Sequence, residues 1–160
     1  MQGDGAVLAE VRSGLVDYQV RVARITDVDR MVAILDGSGA LASGQGPAAD
    51  QLRQLVSLPQ ASVMVVESHR RLIGAGILSL RPSVAEGANV GVVDAIGSDE
   101  GSDAAGVADA LLTELLRSAR NKGCRTVEAA PPTDTRLRTT WARHGFADTG
   151  PRMTCSIAIA

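Results

Sequence analysis

One segment of the sequence combines small residues in a pattern suited to binding an anion. It reads Asp103-Ala104-Ala105-Gly106-Val107-Ala108 and opens the most regularly patterned helix of the chain. The first N–H groups of a helix have no intrahelical partner, and with the positive end of the helix dipole they form a site for a group such as pyrophosphate. The small side chains leave those amides accessible. The structural alternative is that Gly106 and the alanines only let the helix pack closely on a sheet.

The acidic residues around this segment oppose anion binding. Asp103 is a good N-cap, so its carboxylate is expected to accept hydrogen bonds from the same amides, although it would equally well point to solvent. Asp99 and Glu100 lie close by in the sequence. Each such charge is expected to cost on the order of 1 kcal/mol against a phosphate, which weakens binding without excluding it.

The elements that must position this segment follow from hydrophobic periodicity and turn signals. We predict strands over 20–25, 62–67, 72–80, 88–98, 125–130 and 152–159, and helices over about 26–36, from Pro47 onward, over 103–122 and over 133–144. This order predicts an α/β fold of the α+β type, with a mixed, mostly antiparallel sheet of about six to seven strands flanked by about four helices.

The two least regular stretches leave alternatives open. Residues 1–18 are predicted to be an N-terminal extension, in which the weakly amphipathic 6–16 forms either a loosely docked helix or a frayed end, and residues 19–160 a single domain. The Gly-, Ser- and Ala-rich segment 37–46, with the helix after it, forms either a lid over a substrate site or a plain connector.

Composition narrows the class of protein. A net charge of −2 argues against nucleic-acid binding, and the longest basic cluster, His69-Arg70-Arg71, suits a solvated turn. No apolar run approaches the ~18 residues that span a membrane, and the N-terminus lacks a signal-peptide pattern. Two cysteines, Cys124 and Cys155, lack metal-site spacing. A cytoplasmic protein without a metal and without a nucleic-acid or membrane partner is expected.

The order of elements and two motifs resemble the GNAT superfamily of N-acetyltransferases over about 20–159. The first motif is the strand, loop and helix VVDAIGSDEGSDAAGVADALLTELLRSARNKGC. Its 103–108 segment matches the family's Gln or Arg, two residues, Gly, one residue, then Gly or Ala, with Asp103 in place of Gln or Arg. The second motif, TTWARHGF, is similar to the family's Tyr-x-x-x-Gly-Phe, with Trp141 in place of Tyr.

The resemblance implies a co-substrate, acetyl-CoA or another acyl-CoA, and a site for it. Ile96 and Ser98 would offer backbone groups to the pantetheine arm, and Gly97 would permit a bulge that splays this strand from the next. The 103–108 segment would hold the pyrophosphate. Asp134 matches a position near the cofactor arm that is commonly Asn in the family.

The resemblance also implies the catalytic groups. Asp94 is our best candidate for the base that takes the amine proton, because family members often carry Glu close to that position; an edge or solvent-facing Asp is the alternative. Glu67 and Glu128 are weaker candidates. The family's tyrosine protonates the departing thiolate, whereas the Trp141 indole donates hydrogen bonds but is no acid near neutral pH, so Trp141 is interpreted as a core or pocket-wall residue.

Three functional hypotheses follow. The first is an N-acetyltransferase that moves an acetyl group from acetyl-CoA to an amine of a small molecule or protein, with a homodimer as one possible assembly. The second is a degenerate member of the fold that binds acyl-CoA or a partner protein in a regulatory role. The third is a structural domain without a ligand. The superfamily supports many substrates on one scaffold, so the fold does not name the acceptor.

Overall fold

The structure, a computed structural model, describes residues 7–13, 16–150 and 155–156. In this part of the chain the strands are β1 (Val7–Ser13), β2 (Val16–Val22), β3 (Ala61–Ser68), β4 (Arg71–Ser83), β5 (Ala88–Ser98) and β6 (Cys124–Ala129). The helices are α1 (Val28–Gly37), α2 (Gln45–Leu55), α3 (Ala104–Asn121) and α4 (Thr135–Arg143), with a 3₁₀ turn, Ile25–Asp27, before α1.

The six strands form one sheet in sequence order, from β1 to β6. The neighbours from β1 to β5 pair antiparallel, and β5 pairs with β6 in parallel. A parallel pair needs a crossover connection, and α3 provides it. The predicted mixed, mostly antiparallel α/β fold with four helices is therefore confirmed.

The sheet is covered on both faces because its central strands alternate between two cores. Met64 and Val66 of β3 pack in the cluster that includes α3 and Trp141 of α4. Val63 and Val65 of the same strand pack in the cluster that includes α1 and α2. Side chains two apart along a strand share a face, so the apolar run of β3 fits a strand buried on both sides.

The ends of the chain depart most from the sequence-based expectation. The stretch 6–16 was expected to be a helix or a frayed end, but Val7–Ser13 is a strand that pairs with β2. The first predicted strand, 20–25, is also shifted, since β2 spans Val16–Val22. Pairing with an adjacent strand outweighs the weak helical periodicity of this stretch. The division at residue 18, which falls within β2, stays a prediction.

The predicted last strand, 152–159, lies outside the described residues except for Cys155 and Ser156, which have no regular secondary structure.

A buried arginine ties β2 to β3 and to the turn before α1. Arg21 is 5% exposed, and its guanidinium donates to both carboxylate oxygens of Asp27, at 2.7 and 3.0 Å. It also donates to Glu67 at 2.8 Å. Burial alone would raise the pKa of Asp27, but hydrogen bonds from Arg21 and from the Arg24 amide, with the charge of Arg21, hold it below its ordinary value.

Asp27→Asn is expected to lower the free energy of unfolding near pH 7 by about 3 kcal/mol, because Arg21 stays buried with one carboxylate fewer. The folded-state pKa of Asp27 is depressed, so its stabilisation is present above the unfolded-state pKa and is lost as the pH falls through the folded-state value. Urea unfolding of wild type and variant at about pH 7 and about pH 3 should show the difference shrinking in acid.

The matched control is Asp29→Asn. Asp29 is 91% exposed and lies 3.4 Å from Arg53, so this change should shift stability by less than about 0.5 kcal/mol. Equal effects of the two variants at both pH values would contradict the role assigned to Arg21 and Asp27.

Candidate functional site

A cleft opens where β5 and β6 stop pairing. Their parallel ladder ends at Val93 and Ala129, and β5 continues to Ser98 with β4 on its other side. A cavity of about 340 Å³ lies at this point. Its wall comprises residues 94–98 of β5, Ala104 and Ala108 of α3, Leu137 and Trp141 of α4, Val93, and the connecting segments 38–40 and 130–133.

A β-bulge lies at Asp94. On β4, Ile77 pairs with Ala95 and Leu78 pairs with Val93, which leaves Asp94 as the extra residue of β5. The expectation of a bulge at Gly97 is therefore wrong, since Gly97 pairs regularly with Ala75. A bulge bends its strand and re-aims its side chain, and here it lies where β5 leaves β6, with Asp94 exposed on the cavity wall.

The backbone groups of Ile96 and Ser98 face the cleft. The amide of Asp99 donates to the carbonyl of Ile73 at 2.8 Å. Hydrogen-bonded and non-hydrogen-bonded pairs alternate along an antiparallel ladder, so Ile96 and Ser98 fall at the positions whose N–H and C=O point away from β4. An extended ligand lying in the cleft would hydrogen-bond to these groups as an added strand does to the edge of a sheet.

The cleft leads to the N-terminus of α3. The first intrahelical bond of α3 runs from the Val107 amide to the Asp103 carbonyl at 2.9 Å, so the amides of 104–106 have no partner inside the helix. Asp103 occupies the N-cap position. The structure describes the whole first turn of α3, and the Asp103 carboxylate makes no capping hydrogen bond to it. The expectation that Asp103 would cap these amides is wrong.

Comparison with known proteins agrees with this geometry. The family model of the acetyltransferase (GNAT) family matches residues 31–146, which is most of the chain and includes the cleft and the start of α3. The chain belongs to the GNAT acetyltransferase family. No curated protein matches the sequence.

Solved structures of other GNAT acetyltransferases share the fold at low sequence identity. Glucosamine-6-phosphate N-acetyltransferase from Arabidopsis thaliana is 12% identical with a TM-score of 0.70, and the match covers 88% of this chain and 99% of that one. An aminoglycoside 6'-N-acetyltransferase from Acinetobacter haemolyticus is 17% identical with a TM-score of 0.71 and the same coverage. Ribosomal-protein-alanine N-acetyltransferase from Brucella melitensis is 17% identical with a TM-score of 0.67, again with that coverage.

In this GNAT domain the segment 103–108 divides between the cavity and the core. Ala104 and Ala108 line the cavity, whereas Val107 is buried in the core under α3. A Cβ on Gly106 would lie 2.5 Å from the Asp103 carboxylate oxygen Oδ2 and 3.1 Å from the ring and the hydroxyl of Tyr18. Gly106 thus serves the close packing that was its structural alternative, and neither it nor Ala105 is among the cavity-lining residues.

Tyr18 of β2 is a neighbour of this helix start that the sequence did not single out as functional. Its side chain is 1% exposed. Burial, and secondly the charge of Asp103, raises the pKa of Tyr18, so the phenol keeps its proton at neutral pH. Its aromatic type alone gave no sign of this position, because aromatics occur throughout protein cores.

Asp99, the acidic residue that follows β5, forms ion pairs with two arginines. Asp99 accepts from Arg30 at 2.6 Å and lies 3.5 Å from Arg71. The negative charge that Asp99 was expected to add beside the proposed anion site is therefore offset by these arginines. The described residues contain no cluster of three or more His, Cys, Asp or Glu side chains able to hold a metal ion, and none of their helices is long and apolar enough to cross a membrane.

The weaker candidates for a base lie in ion pairs outside the cavity wall. Glu67 accepts from Arg21 at 2.8 Å, and Glu128 lies 3.4 Å from Arg81. Neither residue lines the cavity. Of the three candidate carboxylates, only Asp94 lies on the wall.

Trp141 is a wall between two cavities. It is 5% exposed and lines both the cleft and a second cavity of about 330 Å³. Its ring packs edge-on against Phe146, with centroids 4.8 Å apart and planes at 65°. The pocket-wall interpretation describes this position, because the indole separates two volumes and belongs to the core cluster that includes α3.

Asp134 is placed at the start of α4 and not on the cavity wall. Its carboxylate accepts from the Arg136 amide at 2.9 Å, as an N-cap does. This capping fixes the first turn of the helix that carries Leu137 and Trp141 into the cleft. Its predicted role beside the cofactor arm stays a prediction.

Trp141→Ala is expected to lower the free energy of unfolding by about 3 kcal/mol, because it removes a large buried ring and joins the two cavities. Urea denaturation measures this loss. Trp141→Phe, which keeps a ring against Phe146, should cost less than half as much. Equal losses in both variants would contradict the role of ring packing.

Proposed function

We propose that this protein transfers an acetyl group from acetyl-CoA to an amine of a small molecule or protein. One observation carries the proposal: the open edge of β5, with Ile96 facing the cleft, leads to an α3 N-terminus whose first amides are not capped. An acyl-CoA has a matching layout, since an amide-bearing arm joins its thioester to a pyrophosphate.

The residues present fit such a co-substrate. The amides of 104–106 would bind the pyrophosphate through hydrogen bonds and the helix dipole. Ile96 would donate to and accept from the amides of the arm, in the manner of strand addition. Ala104 and Ala108 keep the adjoining wall small. Leu137 and Trp141 would exclude water around the thioester end.

Asp94 is proposed as the general base. Its carboxylate would accept a proton from the acceptor ammonium, directly or through water. The neutral amine nitrogen then attacks the thioester carbonyl carbon, a C–N bond forms and the C–S bond breaks. The nitrogen, positively charged after the attack, releases one proton to water, and the sulfur leaves as a thiolate that takes a proton from water. Trp141 would border this step without supplying the proton, because an indole N–H is not an acid at neutral pH.

A second function has specific observations in its favour. Asp103, next to Tyr18 at the helix start, adds negative charge where the family carries Gln or Arg, and Trp141 replaces the family's tyrosine. Both differences suit a protein that binds acyl-CoA, or a partner protein, without transferring the acyl group.

Calorimetric titration with acetyl-CoA tests the proposed site. Wild type is expected to bind with micromolar affinity. Ala104→Glu should weaken binding at least tenfold, about 1.4 kcal/mol, because it places a charge and bulk on the cavity wall beside the anion site. Gln51→Glu adds the same charge to an exposed position of α2 and should leave the affinity unchanged.

The outcomes separate the hypotheses. If wild type does not bind acetyl-CoA at about 1 mM, the proposed function is wrong. Equal weakening by both variants would show that net charge, not the cleft, governs the affinity.

Asp94→Asn is expected to lower kcat for acetyl transfer at least about 100-fold, because removal of a general base costs this much, while the KM for acetyl-CoA stays within about threefold. Initial rates of thiol release with an acceptor found by screening small amines and peptides measure both constants. Asp50→Asn, on an exposed part of α2, is the matched control. An unchanged kcat for Asp94→Asn rules out Asp94 as the base, and binding of acetyl-CoA with no transfer to any amine favours the second function.

A further inference from the structure

Ser38, the residue that follows α1, occupies the end of the open edge of β5. Its hydroxyl oxygen accepts from the Ser98 amide at 3.1 Å and lies 2.8 Å from the Ser98 carbonyl, one of two carbonyls within its reach as a donor. These are the two backbone groups of Ser98 that face the cleft. Ser38 also lines the cavity together with Gly39 and Ala40, so the segment predicted as lid or connector begins as part of the cleft wall.

The absence of a side chain at Gly97 makes this approach feasible. A Cβ built on Gly97 would lie 2.9 Å from the Cβ and 2.7 Å from the hydroxyl oxygen of Ser38. These distances are shorter than packed atoms tolerate. Gly97 therefore belongs to the contact with Ser38, which gives a physical reason for glycine at a position that carries no bulge.

The Ser38 hydroxyl has a second acceptor in its own helix. It lies 2.8 Å from the Ile34 carbonyl, the same distance as from the Ser98 carbonyl. A hydroxyl carries one hydrogen, so it donates to one of these carbonyls at a time. If the end of α1 withdrew from β5, the hydroxyl would keep the bond to Ile34 and give up only its contacts with Ser98.

We propose that Ser38 is a positioning residue that limits how far a ligand pairs along β5. With Ser38 in place, an extended arm bonds to Ile96 and not to Ser98. When the end of α1 withdraws, Ser98 becomes available as a second pairing point, and the arm gains two hydrogen bonds. The inference rests on the proposed use of this edge for the acyl-carrying arm, and it deepens that proposal by coupling α1 to co-substrate affinity.

Replacing the hydroxyl distinguishes this competition from simple structural support. Ser38→Ala frees both groups of Ser98, so the Kd for acetyl-CoA should fall at least about fivefold, because one hydrogen bond has typically that net effect and two become available. A supporting residue would give a higher Kd when removed. Ser57→Ala is the matched control, because Ser57 is an exposed serine just beyond the end of α2, and it should leave the Kd unchanged.

Amide hydrogen exchange at Ser98 provides a readout that does not need activity. In the free protein the Ser98 amide should exchange faster in Ser38→Ala than in wild type, and acetyl-CoA should restore its protection. Ser38→Cys keeps the side-chain size but hydrogen-bonds weakly, so it is the second variant to use if Ser38→Ala disturbs the end of α1. Its Ser98 amide should also exchange faster than the Ser98 amide of wild type.

A Kd that is unchanged or raised in both Ser38 variants, with a normally folded protein, overturns the inference and leaves acetyl transfer standing. Tighter binding by the variants without transfer to any amine supports Ser38 as the limiting residue and contradicts the proposed enzymatic function alone.

Discussion

The site depends on the point where two parallel strands stop bonding to each other. A buried backbone N–H or C=O needs a hydrogen-bond partner. Beyond Val93 and Ala129 the strands β5 and β6 no longer form hydrogen bonds with each other. The cavity, the exposed edge at Ile96 and the contact between Ser38 and Ser98 all follow from this divergence. Sequence alone did not reveal Ser38 as part of the cleft, because its contact joins residues sixty positions apart.

The helix between the two diverging strands fixes the other end of the cleft. Leu111, Leu112 and Leu115 bury one stripe of α3 in the core beneath the sheet, so its first turn is held at a set place beside β5. There the uncapped amides would attract the anion of the proposed co-substrate, while the Asp103 carboxylate would repel it. These opposed contributions are of similar size, on the order of 1 kcal/mol each, so the proposed affinity would be sensitive to small changes in the surrounding charge.

The long, strongly patterned elements were predictable from the sequence, and the short-range details were not. Periodicity located α3 and the β3–β4 hairpin to within a few residues, because burial of their apolar faces decides their conformation. The strand Val7–Ser13 was missed, since pairing with β2 depends on a partner more than on its own pattern. The motif resemblance led to residues that line the cleft, but the bulge at Asp94 depends on the register with β4, which a single sequence does not encode visibly.

The sequential order of the strands has a consequence for how the protein is made. From β2 to β5 each strand pairs with the one before it, so in a chain synthesised from its N-terminus each strand meets a partner that is already present. The β1–β2, β3–β4 and β4–β5 pairs are hairpins with contacts of short sequence separation, whereas α1 and α2 separate β2 from β3. The cleft also joins distant segments. Its two walls, β5 and the segment after β6, are separated by the whole of α3, and Trp141 closes it from α4. The part of the molecule that would handle a ligand is thus the last to acquire its shape.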